Sequence, residues 1–218
     1  KVVTLEALLN FFRRPVEYFV KNRLELYLRS RDDLLSDDEP FLLDTLEKYE
    51  VKEALLKLAL DREMDLDVES EAMRKRFRAE GRLPHGPAGA ATFNELRGNV
   101  DSFRKALQGY ESGPLIPNDN MAEPVDLQVG DFHLTGQLDS FADDHTQVTL
   151  RCASVGGREL LAGWIRHLAW HALPEPKLSS QFTIVAGQKK GNLIAQWFKP
   201  IGDTKKANEL LAGLIELF

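Results

Sequence analysis

Apolar residues recur at helical spacing through the first half of the chain and alternate at strand spacing through much of the second. Thr4 stands as a cap before a helix carrying Leu5, Leu8, Leu9 and Phe12. Pro15 fits the first turn of a second helix, where its missing N–H costs little, and Val16, Phe19 and Val20 follow on it. Asp32 to Pro40 reads as an acidic loop. Asp44 with Glu47 forms a capping pair, and Leu46, Tyr49, Ala54, Leu55 and Leu58 continue as one or two helices. A further helix is expected from about Val68 to Glu80, stopped by Gly81. Leu83-Pro84-His85-Gly86-Pro87 is a turn before a long helix with Phe93, Leu96, Val100, Phe103 and Leu107 on one stripe.

The pattern changes after Gly113-Pro114. Val125, Leu127 and Val129 alternate, as do Phe132, Leu134, Gly136 and Leu138, and Gly130-Asp131 between them predicts a hairpin. A third strand covers about Gln147 to Ser154, and Gly156-Gly157 breaks the chain. A helix with Leu160, Leu161, Trp164, Ile165, Leu168 and Ala169 follows. Strands from Phe182 to Ala186 and Leu193 to Phe198 then flank Gly187 to Gly191, and a last helix begins near Asp203 with Ala207, Leu210, Leu211, Leu214 and Ile215. This order predicts an α/β (α+β) fold: one mixed sheet flanked by helices and preceded by a helical half. Residues 1–218 are expected to form a single domain, with 1–112 mainly helical and 113–218 holding the sheet.

Composition narrows the class. A hydrophobic fraction of 43% supports a real core at this length. The single cysteine, Cys152, permits no intrachain disulfide and fits a reducing compartment without proving one; the expected location is cytoplasmic. No apolar run approaches membrane-spanning length. The net charge of −6 argues against an autonomous, tight DNA binder, because phosphate neutralisation supplies much of such affinity. The first residue is Lys1 rather than methionine, which points to a piece of a longer chain.

Thr4-Leu5-Glu6-Ala7-Leu8-Leu9-Asn10-Phe11-Phe12-Arg13-Arg14-Pro15-Val16-Glu17-Tyr18-Phe19 resembles the opening helix of RecB-type nuclease domains. The element order resembles the core of restriction-endonuclease-like nucleases. Asp38-Glu39-Pro40-Phe41-Leu42-Leu43-Asp44, Leu83-Pro84-His85-Gly86 and Trp164-Ile165-Arg166-His167-Leu168 together resemble the C-terminal region of the RecC family, the gamma subunits of exodeoxyribonuclease V. That resemblance spans nearly the whole chain, and family chains continue past the position of Phe218.

Such nucleases hold divalent metal on clustered carboxylates, because phosphodiester attack builds negative charge on oxygen. By the resemblance, the histidine of active domains is replaced by Phe93. Gly136-Gln137-Leu138-Asp139 matches the glycine-to-aspartate strand, which leaves Asp139 as the one retained candidate ligand; the plainer alternative is an ordinary strand-end aspartate. On the third strand Arg151 stands where a carboxylate is expected and Ala153 where lysine is expected, and no Asp or Glu lies between Thr146 and Gly157. A guanidinium in that place opposes metal binding. The resemblance thus implies a domain without catalytic residues, metal or other cofactor.

Other constellations are weaker. His167 and His171 share a helix face at a spacing that can bind zinc, but without a third ligand they read as packing residues. Asp61, Asp65 and Asp67 lack the glycine and glutamate of a calcium loop. Cys152 reads as a small core residue. No phosphate-binding glycine loop is present. Arg74, Lys75, Arg76, Arg78 and Arg82 form the densest basic cluster, and Lys189 and Lys190 sit at a turn; each group is a candidate contact for DNA or a partner, set against an ordinary solvated surface.

The resemblance implies a non-catalytic domain in a heterotrimeric, ATP-dependent helicase-nuclease that resects double-strand breaks for recombinational repair. Its expected partners are the beta and alpha subunits and forked or single-stranded DNA, and its expected role is to scaffold the former and guide the latter. The alternative is an active, metal-dependent DNA nuclease of the same fold with a migrated active site.

Overall fold

The computed structural model describes residues 1–26, 42–61, 66–178 and 182–218. The acidic loop at 32–40, Phe41 and Asp65 lie outside the described residues. The elements run β1 (Val2–Thr4), α1 (Leu5–Arg13), α2 (Pro15–Asn22), α3 (Thr45–Leu60), α4 (Leu66–Ala79), α5 (Gly86–Gln108), β2 (Glu123–Val129), β3 (Phe132–Leu138), β4 (Thr146–Arg151), α6 (Gly157–His171), β5 (Phe182–Lys189), β6 (Asn192–Phe198) and α7 (Thr204–Glu216).

Local chemistry sets most of these boundaries. The Thr4 hydroxyl accepts from Ala7 N–H at 3.1 Å and starts α1, and Pro15 opens α2. Asp44 accepts from Glu47 N–H at 2.8 Å while Glu47 accepts from Asp44 N–H at 2.7 Å, a complete capping box on α3. Asp44→Ala is expected to cost about 1 kcal/mol, read as faster amide exchange confined to the first turns of α3. Along α5 the predicted stripe of Phe93, Leu96, Val100, Phe103 and Leu107 is buried throughout. Gly89, one turn into that helix, lets the Pro84 carbonyl approach: a Cβ there would lie 1.8 Å from the carbonyl oxygen. The Leu83-to-Pro87 turn is thereby pressed onto α5.

The fold is mixed α/β, but the single mixed sheet expected from the sequence is divided. β1, β3 and β2 form one three-stranded ladder, and β4, β5 and β6 form another. In each, one neighbour is parallel (β1 with β3, β4 with β5) and one antiparallel (β2 with β3, β6 with β5). The division falls just past β3. Ser140 takes a left-handed backbone (φ 62°), so the chain bends, and an isolated Phe141–Gln147 bridge joins the two ladders through bonds from Val148 N–H to Ser140 C=O at 2.8 Å and from Ala142 N–H to Thr146 C=O at 2.9 Å. β1 is a strand that the hydrophobic pattern does not predict. Its three residues pair with His133, Leu134 and Thr135, and Gly136 gives the following helix room, since a Cβ there would lie 2.9 Å from Leu5 Cβ.

Two buried clusters follow from this division. One gathers the β1–β3–β2 ladder with α1, α6 and α7, through residues such as Leu8, Leu134, Ile165, Trp170 and Leu211. The other packs β4 and β5 against α3 and α5, through Val148, Ile184, Leu55, Phe93 and Phe103. On α3 the buried residues are Val51, Leu55, Leu56 and Ala59, whereas Leu46 is exposed. Among the described residues no helix is long and apolar enough to cross a membrane.

Candidate functional site

The end of β3, the middle of β4 and parts of α1, α3 and α6 surround one recess of about 320 Å³. This is the neighbourhood of the glycine-to-aspartate strand. Asp139 is exposed immediately after β3; its carboxylate accepts from the Ser140 hydroxyl at 3.2 Å, and its carbonyl accepts from buried Gln147 Nε2 at 3.1 Å. The next turn is closed by Asp143, which accepts from His145 N–H at 2.8 Å.

Arg151 has a different setting from the one its position on the strand suggests. Its guanidinium pairs with Glu159 in the first turn of α6 and lies 4.8 Å from the centre of the Tyr49 ring. Glu159 is itself fixed, accepting from Gly156 N–H at 2.8 Å. The Arg151 charge is therefore compensated locally. The cation that Asp139 attracts is Arg166, from the middle of α6. Burial pushes Arg166 below the usual arginine range; Asp139 counters that shift and Arg13 adds to it. Arg13, Lys57 and Arg166 all line the recess, as do Ser140 and Thr149.

One acid also lines the recess, Glu53 from α3. Burial raises its pKa, opposed by the Cys152 N–H, the Tyr49 hydroxyl and the Arg151 charge, and its Oε1 is buried without a hydrogen-bond partner among the described residues. Reading along the third strand alone misses Glu53, which arrives from α3 far upstream, and Glu159, which stands in the first turn of the helix that follows the strand. Among the described residues, no three His, Cys, Asp or Glu side chains converge in a way that could hold a metal ion. Phe93, at the position the resemblance gives to a histidine, is buried in the second core cluster.

The remaining candidates lie elsewhere. His167 Nε2–H donates to the Lys199 carbonyl at 3.0 Å, so Nδ1 is the acceptor for the Thr183 hydroxyl, also at 3.0 Å. Burial, reinforced by neighbouring His171, pushes the His167 pKa down to about 4. His171 Nδ1–H donates to the His167 carbonyl at 2.9 Å. Both are neutral packing residues. Cys152 is buried in the second cluster, and burial raises its thiol pKa to about 11. Asp67 pairs with Arg97, tying α4 to α5.

The basic cluster on α4 is largely neutralised. Arg74 makes a two-pronged contact with Glu71 at 2.6 and 2.8 Å, Arg76 pairs with Glu80 at 3.4 Å, and Arg82 pairs with Glu50 at 2.9 Å. Arg76 and Arg82 also flank the buried Phe77 ring, at 5.4 and 4.4 Å. Lys75 and Arg78 are exposed and make no ion pair among the described residues. Lys189 and Lys190 are exposed at the β5–β6 hairpin, whose turn is formed by Lys190 and Gly191, both at positive φ.

Fold and site together define a mixed α/β domain with a cation-rich recess at the end of its central strand. The family model for the RecC C-terminal domain matches residues 1–218, and the chain belongs to that family. It is 35% identical over 179 residues to the RecBCD enzyme subunit RecC of Escherichia coli K12, covering 79% of this chain. The RecC subunit of Mycolicibacterium smegmatis is 32% identical over 77% of the chain, and that of Haemophilus influenzae 26% over 76%. The matched region is 14% of the length of each of these relatives. A solved structure, the crystal structure of SSO0001, aligns over 82% of this chain and 88% of its own with a TM-score of 0.33 and 13% identity, a likeness too slight to carry an argument.

Proposed function

We propose that this domain is a non-catalytic part of an exodeoxyribonuclease V gamma subunit, scaffolding the beta and alpha subunits and guiding DNA strands while double-strand breaks are resected for recombinational repair. One observation carries the reading. Where a metal-dependent nuclease needs converging acids, the recess beside Asp139 presents Arg13, Lys57 and Arg166 against one acid, Glu53. Divalent cations take several oxygen ligands, and cations at the same place repel them. No metal or other cofactor is assigned to the domain, and nuclease and motor chemistry belong to the other chains of a cytoplasmic assembly.

The RecC names of the relatives, taken over here by family, support a place in a RecBCD-type complex with DNA. Exposed Val16 and Phe19 on α2 supply apolar surface for a neighbouring subunit. Lys75, Arg78, Lys189 and Lys190, which make no ion pair among the described residues, are available to DNA phosphate or an acidic partner, while Arg74, Arg76 and Arg82 must exchange an existing carboxylate to do so.

The test uses the full-length subunit assembled with its partners. Asp139→Ala is expected to leave magnesium-dependent cleavage unchanged, while photocrosslinking of a forked duplex labels this domain. Loss of cleavage on that substitution would sink the reading in favour of an active nuclease. Absence of any DNA crosslink in the domain would remove the guiding role.

A further inference from the structure

We infer that the recess at the end of β3 binds a phosphate group of a single-stranded nucleic-acid backbone, held by Arg166 and Arg13 with Lys57 at the rim. The inference rests on the proposed DNA-guiding role and gives it a site. Arg166 supplies the main argument. It projects from a helix whose surrounding residues Ile165, His167, Leu168 and Ala169 are all buried, and it makes no hydrogen bond or ion pair among the described residues. The guanidinium is partly buried, so it gives up part of its hydration with no carboxylate at ion-pair distance among the described residues, and an anion in the recess would complete the pair.

Asp139 attracts Arg166 without reaching ion-pair distance, and Arg13 repels it across the same recess. Two arginines facing one cavity stabilise each other only through a shared anion, and the planar guanidinium suits phosphate oxygens in a forked contact. Thr149 adds a buried hydroxyl with no hydrogen-bond partner among the described residues, and Ser140 adds a second hydroxyl. Glu53 is the acid on the opposing side, but Tyr49 and the Cys152 N–H already engage it. The lining therefore carries three cationic side chains against one carboxyl. At about 320 Å³ the recess has room for a phosphate and its sugar, not for two paired strands. On a chain of net charge −6, it is a local positive focus rather than part of a basic surface.

The experiment measures binding of a forked duplex with an oligothymidine tail to the full-length subunit in complex with its partners, across a salt titration. Arg166→Met and Arg13→Gln are each expected to weaken binding roughly tenfold and to lower the salt-dependence slope by about one. Arg166→Lys keeps the charge and should restore most of the slope. Arg166→Met should not lower thermal stability without DNA, because it removes an unpaired charge rather than a contact.

Unchanged affinity and slope in both neutral variants, with forked DNA still crosslinking to the domain, would overturn the site and leave the DNA-guiding role standing. Loss of all crosslinking would sink that role and this site together. If inorganic phosphate stabilises the wild type but not Arg166→Met while the DNA slope is unaffected, the recess takes the free anion and the backbone assignment fails. That assignment fails equally if polyglutamate, and not DNA, is the ligand whose binding depends on Arg166.

Discussion

Trp170→Ala is expected to lower the local stability of the β3–β4 junction by about 4 kcal/mol. Trp170 is fully buried near the end of α6, and its ring meets Phe141 edge to face with centroids 4.9 Å apart. Phe141 is the residue whose bridge to Gln147 joins the two ladders, and it follows Asp139 and Ser140 directly. Truncation therefore leaves a large cavity and frees the segment that carries one wall of the recess. Amide exchange on the full-length subunit should show residues 139–150 opening far more often, with α5 much less affected. Trp170→Phe is the control. The indole Nε1 is buried without a partner among the described residues, so phenylalanine removes an unsatisfied donor and keeps most of the aromatic contact. Its loss should be well under half that of alanine. Equal exchange in the junction and in α5 would mean that Phe141 is not held chiefly by this ring.

The role of Phe141 bears on what could be read from the chain alone. Features encoded within a few residues were legible. Thr4, Pro15 and Asp44 with Glu47 open helices where expected, Gly130-Asp131 turns a hairpin, and the α5 stripe is buried in full. The mixed α/β class followed from the order of these elements. The division of the sheet did not, because it depends on a left-handed backbone at Ser140, a residue type with no strong preference for that conformation. β1 was illegible for another reason. Three residues carry too little alternation to register, and the strand exists because Val3 and Leu5 find partners some 130 positions away. Strand Phe182–Lys189 likewise runs three residues past its predicted end, since pairing with β6 holds Gly187 and Gln188 in register against their turn preference.

The candidate site divides in the same way. The placement of Asp139 at a strand end was legible, as was the lack of neighbouring acids on the third strand. The charges that surround Asp139 were not. Arg151 occupies the suspect strand position, yet Glu159 and Tyr49 engage it. The cation that Asp139 attracts is Arg166, 27 residues onward, and Arg13 from the first helix repels that same arginine. Helix α6 brings Arg166 in, and no motif in its local sequence marks it. A weak signal existed: Arg166 interrupts the run Trp164-Ile165-Arg166-His167-Leu168-Ala169-Trp170, where nearly every neighbour is apolar or buried. A charge within such a run is either paired or reserved for a ligand.

The second large effect concerns acid. His167 is fully buried and neutral, with its Nε2–H donated to Lys199 and its Nδ1 accepting from Thr183. Burial, then the neighbouring His171, lowers its pKa from 6.5 to about 4. Between those values the unfolded chain binds a proton that the folded chain refuses, so the unfolded state holds more protons and stability falls as pH falls. The loss should begin as pH drops through 6.5 and be complete near pH 4, amounting to on the order of 3 kcal/mol. His171 is shifted in the same direction by burial and steepens the decline. Exchange protection of α6 and β5 in the intact subunit, corrected for the intrinsic pH dependence of exchange, should follow this curve. His167→Gln retains one donor and one acceptor but cannot titrate. It should start somewhat less protected at pH 7.5 and lose markedly less than wild type down to pH 4.5. If the two proteins decline in parallel over that range, acid sensitivity comes from carboxylates and not from this histidine. Because α6 carries Arg166 one residue before His167, the same titration should release the phosphate-binding arginine from its fixed position, so DNA binding by the assembled wild-type complex should fall faster below pH 6 than that of His167→Gln.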